Sequence, residues 1–291
     1  MNAKSIMERQ NEDKMLRYQF SARRHFNLAE KWNYACWALL AVSWASMFLP
    51  DTEPLNTIRN VGIVVIDLIA TFCAVRTEKN AQLASALRAH FDAYVFGLEQ
   101  LSDFGNKWEL DEITLKDKER FPQEFDIQTK HNGSDVPPGV KDWYEIDESK
   151  EGIAAILECH GLNTRWETRL EKYRIIAFIV MLVLLISIMV AMLCISAVGP
   201  LTVLLSSVGL IIHICKRINI SLHRYRVMIQ INTLRDAVEV SNTLDSVVLL
   251  QKNINEYRAF PVLGIDLVHK LRAKTWTERD RSIQQDNSSS M

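Results

Sequence analysis

The chain has 291 residues, with 34 basic and 35 acidic side chains and a formal net charge of -1 at pH 7. That balance excludes a global electrostatic pull towards nucleic acid or strongly acidic partners. Mean hydropathy is only -0.03, so the apolar residues must be gathered into a few stretches, leaving large parts of the chain facing water.

Residues 1–31 carry charges throughout and contain no apolar core of a secretory signal. Met7, Met15, Phe20, Phe26 and Leu28 form an irregular apolar stripe. Lys4, Arg9, Lys14, Arg17, Arg23, Arg24 and Lys31 outnumber the acidic residues. This predicts an amphipathic cytoplasmic helix leading into a membrane. Asn33–Pro50 is the first candidate span, with Trp32 and Tyr34 at its entrance and Trp37 and Trp44 inside it, ended by Pro50, Asp51 and Pro54. Val61–Val75 is the second, stopping at Arg76. It carries Asp67 near its middle, which costs about 2.5–3.5 kcal/mol on insertion scales and requires the carboxylate to face other helices or water.

The strongest signal lies further on. From Ile175 to Val198 no residue is charged, a run of about 24 positions or ~36 Å of helix, enough to cross a ~30 Å hydrocarbon layer with some tilt. Gly199-Pro200 breaks it. A second uncharged run, Leu201–Cys215, stops at Lys216-Arg217. Two helices crossing and returning fit this pattern, whereas a buried core helix in a soluble protein rarely stays uncharged for so long.

Lys and Arg set the expected topology. The link Asp51–Asn60 holds one basic residue, Arg59, and Gly199-Pro200 holds none, while the three other connecting regions are rich in Lys and Arg. The positive-inside rule therefore places both termini and the middle region in the cytoplasm. In the middle region, Glu78–Leu101 continues the second span as a helix, with Phe91, Tyr94, Val95 and Leu98 at helical spacing. Asp103–Gly139 is charged and punctuated by Pro122, Gly133, Pro137, Pro138 and Gly139, and reads as irregular. Lys150–Arg174 is helical again. Beyond Lys216, Ile220, Tyr225, Ile229, Leu234, Val238, Leu244, Val248 and Leu250 make an apolar stripe on a long cytoplasmic helix with room for one break, suited to helix pairing or to a second subunit. Pro261–Gly264 interrupts it, a short amphipathic piece spans Ile265–Leu271, and the tail from Arg279 is polar.

The expected fold is an all-α integral membrane protein: two transmembrane helical hairpins, four spans in all, extended by long cytoplasmic helices. The segments are an N-terminal helix over 1–32, a first hairpin over 33–76, a cytoplasmic insert with an irregular loop over 77–174, a second hairpin over 175–216, and C-terminal helices with a tail over 217–291.

Nucleotide-binding glycine motifs, HExxH, CxxC and a serine nucleophile elbow are missing, so no enzyme, cofactor or metal is expected. Cys36, Cys73, Cys194 and Cys215 sit in apolar runs and Cys159 stands alone, which reads as reduced packing thiols; His160 beside Cys159 reads as packing. The polar residues inside the spans are the candidates for a pore lining: Asp67, and Ser206, Ser207 and His213 of the fourth span. Small hydroxyls there also serve close helix packing. Lys216, Arg217, Arg224 and Arg226 are the candidate contacts for phosphates, of a ligand or of the lipid surface. Trp143 and Tyr144 offer a stacking surface for a base, or local packing.

Six strings carry a resemblance across nearly the whole chain: ERQN at Glu8–Asn11, SARRHFNLAEKW at Ser21–Trp32, FDAYVFGL at Phe91–Leu98, DWYE at Asp142–Glu145, ECHGLNTRWETRLEKY at Glu158–Tyr173 and LQKNINEYR at Leu250–Arg258. In this order around two membrane hairpins, the chain resembles the SMODS-associated four-transmembrane pore-forming effectors. The resemblance implies a bacterial antiphage effector in the inner membrane, a homo-oligomer in its active state. A cyclic oligonucleotide, or a partner that senses one, would trigger it to permeabilise the membrane and arrest or kill the infected cell. The alternatives are a non-conducting membrane-anchored scaffold or receptor, and a secondary transporter; four spans without a discontinuous helix pair disfavour the transporter.

Overall fold

In a computed structural model, the described residues are 2–49, 52, 55–99, 106–144, 146–161, 164–195 and 199–260. Among them the fold is all-helical. The expected short piece over Ile265–Leu271 and the tail from Arg279 lie outside the described residues.

The helices are α1 (Ala3–Gln10), α2 (Asp13–Ala45) with a 3-10 turn over Ser46–Phe48, α3 (Leu55–Val95), α4 (Lys107–Arg120), α5 (Pro122–Lys130), α6 (Gly152–Gly161), α7 (Thr164–Ile195), α8 (Pro200–Ser241) and α9 (Leu244–Ala259). With 41 and 42 residues, α3 and α8 are each roughly 60 Å long, about twice a bilayer's hydrocarbon thickness. Their ends follow from local chemistry. Gly97, with φ of 67°, takes the left-handed position after α3, and the Leu98 N–H donates to Ala93 O at 2.7 Å, closing the helix end as glycine C-caps do. Pro200 opens α8, where its missing N–H costs nothing. At the other end Asn242 adopts φ of 48° and α9 begins two residues later.

Among the described residues, three helices are long and apolar enough to cross a membrane: α3, α7 over Leu170–Cys194, and α8, with mean hydropathies of 1.9, 3.2 and 1.7 in their apolar windows. The first expected span is not among them. Its α-helix ends at Ala45, so the uncharged part from Trp32 onward covers only about 21 Å at 1.5 Å per residue, and the remainder is the tighter turn over Ser46–Phe48. Asp67 does not spoil the second.

Two further expectations are corrected. The stretch read as irregular holds α4 and α5. Asn106 Oδ1 caps α4 by accepting from the Trp108 N–H at 3.2 Å. Pro122 starts α5 instead of breaking it, and the Leu110 and Phe125 side chains turn inward. The C-terminal stripe is also rephased. The break at Asn242 means no single helical face runs from Ile220 to Leu250. Val238 and Leu250 lie in the core and Leu234 and Val248 pack against it, but Ile229 and Leu244 are 44% and 52% exposed, and Val227, Met228, Ile231, Val247 and Tyr257 complete the core.

α2 packs along α3 through small residues, among them Ala22, Ala29 and Cys36 on α2 and Ala70, Cys73, Ala81 and Ala84 on α3, which lets the backbones approach closely. α7 leans mainly on α8, and its outward residues, such as Val183, Leu184 and Val190, are exposed. A large apolar core joins α1, α2, α3, α6, α8 and α9. The apolar region holds two smaller clusters, one between α2 and α3 and one around Phe178, Leu185 and Ile214. All five cysteines are free.

Candidate functional site

From Thr202 to Arg224 one face of α8 is polar. Thr202, Ser206, Gly209, His213, Arg217, Ser221 and Arg224 recur at intervals of three and four residues, the spacing of a single helical stripe. The six with side chains are all buried. A polar stripe turned inward through an apolar helix reverses the usual pattern, and it makes a seam against α2 and α3.

At the first end of the seam, Thr202 Oγ lies 3.0 Å from Asn56 Oδ1 and 2.9 Å from Asn60 Oδ1. Arg59 donates to Asn56 Oδ1 at 2.7 Å and to Leu49 O at 2.9 Å. At its middle is Asp67. A Cβ placed on Gly209 would lie 2.6 Å from Asp67 Oδ2, so the carboxylate sits directly over the one gap that the missing side chain leaves. Ser43 of α2 lies beside it, yet neither Asp67 Oδ1 nor Ser43 Oγ has a well-formed hydrogen bond among the described residues. Buried orphans of this kind are rare and need a reason. At the inner end His213 meets Cys36 Sγ at 3.7 Å and the edge of Trp37. Arg217 donates to Asn33 Oδ1 and, at 3.4 Å, to His213 Nε2.

Beyond the apolar region the same face of α8 reaches two buried carboxylates. Glu171 of α7 is fully buried. It accepts from Arg224 Nε at 2.8 Å, from Arg174 at 2.8 Å and from Tyr257 OH at 3.3 Å. Arg224 also stacks on the Tyr257 ring and donates to the Tyr257 and Phe260 carbonyls at 3.1 and 2.7 Å, satisfying the open C-terminal end of α9. Asp92 of α3 is fully buried as well. It accepts from Tyr144 OH at 2.6 Å, from Gln251 at 3.2 Å and from Arg258, with Arg88 Nε 4.0 Å away. Burial alone would raise the Asp92 pKa, but Arg258 and Arg88 outweigh it and hold the carboxyl below its ordinary value. Burial, with the Asp92 charge behind it, pushes the Tyr144 hydroxyl up.

His160 of α6 is packed edge-on to Phe96 in this core, and burial pushes its imidazole down from 6.5 to about 4. It folds neutral, while the unfolded chain protonates near the ordinary value. Its contribution is therefore fully present above about pH 6.5 and is lost as pH falls towards 4. Wild type should accordingly lose on the order of 3 kcal/mol more stability than His160→Met across that window, read as the difference between their unfolding midpoints at pH 7 and pH 4.5. Equal pH slopes for the two proteins would refute this.

A family model for the SMODS-associating 4TM effector domain matches residues 4–210. The chain belongs to this family. No curated protein and no solved structure matches it. As a SMODS-associating 4TM effector with three long apolar helices, it is a membrane protein. The match ends within α8, so α9 lies beyond it.

Five of the six strings that carry the resemblance, scattered along this effector, meet in space; Arg23, Arg24 and His25 of the string at Ser21–Trp32 bond elsewhere. Gln10 holds the Tyr144 backbone by two hydrogen bonds, 2.8 and 3.2 Å. Tyr144, Gln251 and Arg258 converge on Asp92, and Glu171 joins Tyr257. Sequence reading missed both carboxylates, because an acidic residue in an amphipathic segment ordinarily faces water. The signal was there for Asp92, which sits between Phe91 and Ala93 and four residues from Arg88.

Other sequence candidates separate. Ser206 lies on the seam, whereas Ser207 shares the face of Val203 and Ile214 towards α7. The basic run is not one phosphate cluster: Arg217 and Arg224 point inward, Lys216 pairs with Glu78, and Arg226 is exposed. Tyr144 is interior and offers no stacking face, while one face of Trp143 is covered by Arg88 at 3.8 Å. Among the described residues, no group of three His, Cys, Asp or Glu is placed to hold a metal.

Proposed function

We propose that this effector permeabilises the bacterial inner membrane when its defence system is activated, and that the seam along α2, α3 and α8 becomes the water-facing line. In this reading the apolar half of α2 with its 3-10 turn is a fourth span, the spans form two hairpins, and both termini are cytoplasmic. The observation that carries the reading is the buried polar stripe with Asp67 over Gly209. Polar and ionisable residues at membrane depth are costly and mark ion or solute paths. Four helices enclose little water, so subunits combine in the open state. The trigger is a cyclic oligonucleotide, or a partner that senses one, supported by the SMODS association in the family's name. No catalytic step is needed.

A non-conducting scaffold is the second reading, favoured by the tight closure of the seam, where Ser206 is 1% exposed. Dye uptake and membrane potential, recorded in cells whose defence system has been triggered by infection, separate the two. Depolarisation with dye entry supports the pore. Intact potential with the protein present in the membrane supports the scaffold.

The layout has its own test. In a background without native cysteines, an impermeant thiol reagent added outside the cell should modify a cysteine introduced at Thr52 and spare one introduced at Ser134. Modification at Ser134 in intact cells would refute the proposed orientation.

A further inference from the structure

α9 is a short helix hung on one turn. Its 16 residues follow α8 across Asn242-Thr243, with Asn242 in the left-handed region. It nevertheless ties three long helices together. Arg258 reaches Asp92 of α3, Tyr257 OH reaches Glu171 of α7, and Arg224 of α8 holds the Tyr257 and Phe260 carbonyls. Each of those helices runs without interruption into the apolar region. Arg224 is the last member of the stripe that begins at Thr202, so the clasped face and the seam are one face of one helix.

The charges are arranged so that α9 can leave. Without it, Asp92 keeps the Tyr144 hydroxyl and Arg88 at 4.0 Å. Glu171 keeps Arg224 and Arg174, each at 2.8 Å. Arg258, already 23% exposed at its side chain, passes into water. Breaking a buried ion pair is most costly when one partner is left buried and alone. Here each carboxylate has a second arginine on the helices that stay behind, which lowers the cost of undocking and makes a two-state arrangement accessible.

We propose that α9 is an autoinhibitory clasp: docked on Asp92, Glu171 and Arg224 it holds α3, α7 and α8 with the seam closed, and its release allows the seam to open. This rests on the pore reading. Signals that favour the undocked state would open the protein by population shift, whatever their chemistry.

The test uses the full chain in cells, with Arg258→Ala and Asp92→Asn compared with wild type at equal membrane levels. Asp92→Asn keeps the shape and one oxygen to accept from the Tyr144 hydroxyl while removing the charge that attracts Arg258, so it guards against simple misfolding. Hydrogen exchange over 244–259 reads the docking of α9, and dye uptake reads the seam. Both variants should exchange faster in α9 and take up dye without infection, each by about tenfold or more. Wild type should leak only after infection. If α9 loosens in the variants and they stay tight, while wild type leaks on infection, the clasp is overturned and the pore stands. Unchanged exchange in α9 also overturns the clasp. If neither the variants nor infected wild-type cells leak, the pore reading fails and the clasp with it.

Discussion

Asp92→Ala is expected to remove about 3–5 kcal/mol of stability from the water-facing half, the scale found when one partner of a buried ion pair is deleted. The carboxylate is fully buried. Its loss leaves Arg258 and Arg88 facing each other without a counter-charge and strands the Tyr144 hydroxyl. It also opens a void between α3 and α9. Since ordinary domains are stable by only about 5–15 kcal/mol, the variant should lose much of its cooperative unfolding at 37 °C. Asp92→Asn should cost less, because an amide oxygen still accepts from Tyr144. Thermal unfolding in detergent micelles, followed by helical circular dichroism, checks both. A loss below about 1 kcal/mol for Asp92→Ala would place Asp92 among weakly coupled surface pairs and contradict its burial.

Asp67→Leu should abolish permeabilisation while the protein stays in the membrane. The present carboxylate occupies the space above Gly209, where leucine would fill the gap and dry the middle of the seam. Insertion should become easier by about 3–4 kcal/mol on helix-centre scales. Asp67→Asn keeps shape and hydrogen bonding but removes the charge, so it should leave killing largely intact and change cation passage. Single-channel conductance in planar bilayers and cell survival after activation measure the two effects, with membrane amounts checked for each variant. Wild-type selectivity and toxicity in both variants at equal levels would make Asp67 a packing residue.

The long apolar helices were legible in the sequence because charge is expensive in hydrocarbon, and Ile175–Cys215 has none. The helix start at Gly199-Pro200 and the continuation of Val61–Val75 as one helix to Val95 were legible for equally local reasons. What escaped depends on partners distant in the chain. Gly209 reads as a small residue until Asp67 is found over it. Pro122 reads as a breaker until the chain is seen to start a helix there, with Phe125 turned against Phe20. Arg217 and Arg224 read as a positive flank, and only the three- and four-residue spacing that links them back through His213, Gly209 and Ser206 to Thr202 shows that they face inward. Glu171 looks like a surface acid because nothing local announces that Tyr257, far along the chain, folds back onto it; Asp92 has a local sign in its place between Phe91 and Ala93, but none that points to Arg258.

The uneven lengths of the apolar segments have a consequence for the surrounding lipid. From Ile175 to Ile195 α7 offers about 31 Å of uncharged helix, matching a ~30 Å hydrocarbon core, whereas α8 offers about 24 Å from Pro200 to Cys215, α3 about 24 Å from Asn60 to Val75 with Asp67 inside it, and α2 less. The three helices that share the seam are therefore the short ones, and the full-length helix stands at their edge. A bilayer must pinch by several ångströms beside the seam, at a cost of fractions of a kcal/mol per ångström. Two protomers that bring their short sides together remove part of that pinched lipid. In the proposed oligomer, membrane thickness would then act as a force of association: thicker bilayers would press the seam-bearing faces of neighbouring protomers together, with α7 left on the rim.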